Sequence, residues 1–121
     1  MIVKKINVPL YGFRVDFIEC KDEKDSDAIE VFFKKMKLDD PIAEEIVGAL
    51  RQGDVDGGWT LACLGIKRII VVLLPMRSEE RRCEVVNHEK RHVEDDILRH
   101  CGIEDAEAAA YLAGFLGKHI K

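Results

Sequence analysis

Hydrophobic and polar positions along the chain change period several times, and each change marks an element. Phe13, Val15 and Phe17 alternate with Arg14 and Asp16, the period of two expected of a half-buried strand. Met1 to Val8 carries a weaker version of the pattern, closed off by Pro9 and Gly12. Beyond the charged stretch Lys21 to Asp27, Ile29, Phe32, Phe33 and Met36 fall at the spacing of an amphipathic helix, with Ser26 as its expected N-cap. Asp40-Pro41 opens a second helix, because Asp accepts free N–H groups and Pro suits the first helical position. Its apolar stripe is Ile42, Ile46, Ala49 and Leu50, and Gly53 ends it.

Trp59 to Leu64 and Arg68 to Leu74 read as a hairpin around Gly65. The second arm, Ile69-Ile70-Val71-Val72-Leu73-Leu74, has no polar alternation at all, so it belongs inside a sheet covered on both faces. Trp59 is expected to pack in the hairpin. The preceding Asp54-Val55-Asp56-Gly57-Gly58 resembles the start of a calcium loop, but Gly65 stands where such a loop needs its bidentate Glu, and the segment reads as a turn. Ser78 can cap a third helix, with Glu79 and Glu80 in its first turn, running towards Cys101 and stopping at or before Gly102. A fourth helix is expected over roughly 104–117. The order predicts one α+β domain spanning 1–121, a small mixed or antiparallel sheet with a hairpin, backed by about four helices.

Composition narrows the function classes. The longest apolar stretch, Ile69 to Pro75 with Met76, is far short of a membrane span, and the N-terminus lacks the apolar core of an export signal. With 19 Lys+Arg against 23 Asp+Glu, the net charge of -4 repels a phosphate backbone. The basic residues Arg81, Arg82, Lys90, Arg91 and Arg99 are interleaved with acids, so neither nucleic acid nor membrane is an expected partner. Cys20, Cys63, Cys83 and Cys101 form no C-x-x-C pair and read as reduced, mostly buried thiols of a cytoplasmic protein.

One motif carries chemistry. His88-Glu89-Lys90-Arg91-His92 is H-E-x-x-H in the middle of the third helix. Residues four apart on a helix differ by about 40° around its axis, so both imidazoles project to one side and can share a tetrahedral Zn2+. Glu89, about 60° from His92, can reach a metal-bound water without being a ligand. A catalytic zinc needs a third protein ligand, and Glu107 on the next helix is the first candidate, with Glu104 and Asp105 as alternatives that could equally cap that helix. Helix lengths set a condition. If the third helix continued to Cys101, His92 and Glu107 would be mismatched along the axes by about 8 Å. The third helix should therefore end nearer Leu98, or the two should cross steeply.

With these residues the chain resembles the zincin metallopeptidases, in particular the gluzincin type with a glutamate on the helix after H-E-x-x-H. The likeness covers about the last 50 residues. Val85-Val86-Asn87 fits the longer zincin consensus, and Glu107-Ala108-Ala109-Ala110-Tyr111-Leu112 is similar to the glutamate helix of small intracellular zincins. Lys90 and Arg91 depart from it, since those positions are usually uncharged, and imply a motif helix with one wet face. The resemblance implies a peptide hydrolase acting on a peptide or protein substrate, with His88, His92 and Glu107 holding zinc and Glu89 as general base. Tyr111 or His100 would stabilise the oxyanion, and the less hydrophobic hairpin arm would hold the substrate backbone by strand addition. A non-catalytic zinc-binding module and a metal-free interaction protein are the alternatives.

Overall fold

A computed structural model describes all residues 1–121. Strands β1 (Ile2–Val8), β2 (Phe13–Glu19), β3 (Gly58–Cys63) and β4 (Arg68–Leu73) form one mixed sheet in the order β1-β2-β4-β3. The outer pairs are antiparallel and the central pair, β2 with β4, is parallel. Helices α1 (Ser26–Lys35) and α2 (Pro41–Arg51) cover one face, and α3 (Glu79–Cys101) and α4 (Ala106–His119) cover the other. The α+β class expected from the sequence is the class observed.

The two-sided character of β4 organises this arrangement. Ile69, Val71 and Leu73 face α3 and α4 together with Val86, Val93, Ile97, Leu112 and Leu116, whereas Ile70, Val72 and Leu74 face α1 and α2 with Ile29, Phe33, Ile46 and Leu50. Because successive strand residues point to opposite faces, an unbroken apolar run feeds two half-cores at once. Burying a Leu, Ile or Phe side chain is worth about 1.5–3 kcal/mol, so the run contributes to both half-cores.

β2 departs from the half-buried strand expected. It too is covered on both faces, and the polar position Asp16 is fully buried. Its carboxylate accepts hydrogen bonds from Arg14 Nε at 3.0 Å and from Arg68 Nε at 2.5 Å. The guanidinium of Arg68 also lies over the Phe32 ring. Alternation of polar and apolar residues therefore marked two environments, an apolar half-core and an ion-paired one, and not core against water.

Helix boundaries follow the local chemistry. Asp40 accepts from the Ile42 N–H at 2.9 Å to cap α2, and Ser78 accepts from the Arg81 N–H at 3.1 Å to cap α3. Ser26 is the first residue of α1 and not its cap, because a short 3-10 turn over Glu23–Asp25, capped by Asp22, leads into the helix. α3 runs on to Cys101 and stops at Gly102, whose φ of +65° suits glycine. α4 starts two residues later than expected because Asp105 is its cap, accepting from the Glu107 N–H at 2.8 Å.

Replacing Asp16 by Ala should remove the carboxylate that both guanidinium groups pair with, leaving the more enclosed Arg68 without that partner. The expected loss is about 2–3 kcal/mol, read from urea unfolding, with Asp16→Asn between that variant and wild type.

Candidate metal centre

The hairpin and α3 meet on the α3/α4 side of the sheet. β3 is an edge strand with β4 as its one strand neighbour, and α3 packs directly against it. The approach is close because Gly58 has no side chain: a Cβ there would stand 3.0 Å from Glu89 Cγ, 3.0 Å from Val85 Cγ1 and 3.1 Å from Leu73 Cδ2. Asp56 fixes the same junction from the loop side, accepting from the Arg77 backbone N–H at 2.9 Å and pairing with its guanidinium. The segment resembling a calcium loop is thus a turn that ties the entry of β3 to the entry of α3.

Within α3, His88 and His92 are exposed and their Nε2 atoms stand 3.2 Å apart, rings edge to face. Two imidazole nitrogens at about 2.0–2.1 Å from a tetrahedral ion would lie about 3.3–3.4 Å apart, so the pair is already at ligand spacing. Glu89 is only 3% exposed, and a carboxylate oxygen of it lies with the two imidazole nitrogens inside a group spanning no more than 4.8 Å. The Thr60 hydroxyl stands 3.4 Å from both Glu89 Oε1 and the Glu89 carbonyl oxygen. Glu89 Oε2 is buried with no hydrogen-bond partner at all. An unpartnered buried acceptor costs about 1–3 kcal/mol, more for a charged group. His88, Glu89 and His92 thus form a group that could hold a metal ion, and imidazole nitrogen is a donor type that suits zinc.

The other candidate residues lie elsewhere. Around α3, at about 100° per residue, Val86, Val93 and Ile97 mark the core side, while Lys90 turns to α4, its Nζ reaching the neighbourhood of Gly117. Each imidazole is about 160° around the axis from Lys90, on the β3 flank of α3. Glu107, in the first turn of α4, is exposed and is not a member of the His88–Glu89–His92 group. The length mismatch set out above persists, since α3 does reach Cys101. Tyr111 is 47% exposed on α4. His100 packs edge-on against Phe13 and lies about 12 Å along α3 from His92. Asp105 caps α4, and Glu104 is exposed just before it.

Charges around the histidines are mixed. Arg91 is exposed and Lys90 half-buried, so the motif helix does keep a wet face. One turn beyond His92, burial pushes the Asp96 carboxyl up, against the pull of Arg99 and His92. Thr60 was not singled out from the sequence. Its only signal there is its position as the polar residue of a hairpin arm next to the motif helix, and the helix-to-strand register that gives this meaning is tertiary.

Comparison with protein-family models, with curated proteins and with solved structures finds no match. The zincin likeness accordingly rests on the motif residues themselves.

Two outcomes follow from the junction. Gly58→Ala should push β3 and α3 apart and cost about 1–3 kcal/mol of stability in urea unfolding; a loss under about 0.5 kcal/mol would show that the contact is slack. Hydrogen bonding from the Arg77 backbone, then from its side chain, holds the Asp56 carboxyl below the ordinary range. A carboxyl lowered in the folded state contributes stability above its unfolded value of about 3.9, and the contribution is lost as pH falls through the folded value. Arg77→Ala should raise the Asp56 midpoint part of the way back, because the backbone bond remains, as followed by carboxyl-carbon NMR during an acid titration.

Proposed function

We propose that this chain is a zinc-dependent peptide hydrolase, with His88 and His92 holding the metal through Nε2 and Glu89 acting as general base. The observation that carries the reading is the pairing of two exposed imidazoles at ligand spacing with a buried carboxylate whose second oxygen lacks any partner. Zinc, when bound, polarises a scissile carbonyl and lowers the pKa of its water to about 7. As general base Glu89 would accept a proton from the attacking water and return it to the departing amine, and burial beside β3 keeps bulk water away from its carboxylate. The free edge of β3 lies alongside the motif helix, where an extended peptide could add as a further strand. The four free cysteines support a reducing compartment, the cytoplasm, although Cys83 and Cys101 are exposed and not buried as expected. No helix is long and apolar enough to cross a membrane.

Two imidazoles are one protein ligand short of the usual catalytic zinc site. That observation favours, as a second reading, a zinc-binding module without hydrolysis. Glu107 remains the third ligand that the zincin resemblance implies, and it would require α4 to reposition its first turn.

Metal analysis of untagged protein separates the readings. Wild type should carry about one zinc per chain, His92→Ala should carry none, and Glu89→Gln should keep zinc while peptide hydrolysis falls by about 10²–10⁴-fold. Zinc without hydrolysis in wild type would establish the binding module. Absence of zinc from wild type would leave a metal-free protein. Loss of zinc in Glu107→Ala would assign the third ligand to that residue, and retention would leave the position to water or substrate.

A further inference from the structure

We infer that Thr60 is a positioning residue for Glu89, holding its carboxylate in place through Oε1; this rests on the metal-site reading above. Glu89 is the only charged residue of α3 that is buried, and Thr60 Oγ1 is the one hydrogen-bond partner its side chain has. The hydroxyl stands 3.4 Å from two acceptors, Glu89 Oε1 and the Glu89 carbonyl oxygen, and its one proton can be donated to either. When the proton goes to the side chain it is Oε1 that accepts it, and Oε2 has no partner.

Threonine suits this task for two reasons. Its β-branch restricts χ1 on a strand, so the hydroxyl direction is set by the backbone of β3 and not by the carboxylate it serves. Gly58, two positions earlier and therefore on the same face, brings α3 close enough for the hydroxyl to reach. A valine at position 60 would fill the same volume while removing the only donor. A serine would keep the donor and lose the methyl group.

The test uses the full chain with zinc, acetohydroxamic acid as probe, and three proteins: wild type, Thr60→Val and Thr60→Ser. Hydroxamates bind zinc and also exchange a proton with a neighbouring base, so their affinity reads the placement of Glu89 as well as the metal. Thr60→Val should keep zinc stoichiometry and thermal midpoint while hydroxamate affinity, by calorimetry, falls about tenfold, and Thr60→Ser should recover most of it. Equal hydroxamate affinity in wild type and Thr60→Val would overturn the positioning role and leave the metal site standing. So would loss of zinc or of folding in Thr60→Val that serine fails to restore, since that marks a packing role. A wild-type chain that takes up no zinc would overturn both readings together.

Discussion

The parallel pairing of β2 with β4 is the constraint on which the rest of the structure depends. Both strands are buried on both faces, so helices must cover each side of the sheet, and only β1 and β3 remain as edges. The chain meets the requirement by placing α1 and α2 between β2 and β3, then α3 and α4 after β4. Asp16, between Arg14 and Arg68, is the one charge admitted to the centre of the pair, where it is bonded on both carboxylate oxygens. Partners on both oxygens offset the cost of burying a carboxylate, whereas the same group alone would oppose folding.

The candidate centre arises from the same arrangement. Covering the second face brings α3 down on the edge strand, and Gly58 removes the side chain that would hold them apart. Glu89 is thereby pushed into the junction, while His88 and His92, around the helix from the core residues, stay in solvent. One turn of helix thus holds three groups in two environments. The wet pair keeps its rings in solvent, and the dry carboxylate is screened from water.

Much of this was legible in the chain. The caps at Asp40 and Ser78, the unbroken apolar run of β4 and the H-E-x-x-H spacing are local, and each appears where its chemistry requires. What was not legible is tertiary. Asp16 looked like the solvated half of a strand because alternation does not distinguish water from a buried guanidinium. Glu107 is the nearest carboxylate in order of sequence on a suitable helix, yet α4 lies against the flank of α3 marked by Lys90, and the histidines occupy the other. Thr60 could not be seen at all, because 29 positions separate it from the residue it contacts.

The exposure of both imidazoles has a kinetic consequence. Because both rings are open to solvent, an ion could reach them directly, and how long it stayed would be set by the bonds it made. An open pair of this kind does not select its metal by barring entry. Preference among nickel, copper and zinc would have to come from the chemistry of the donors themselves.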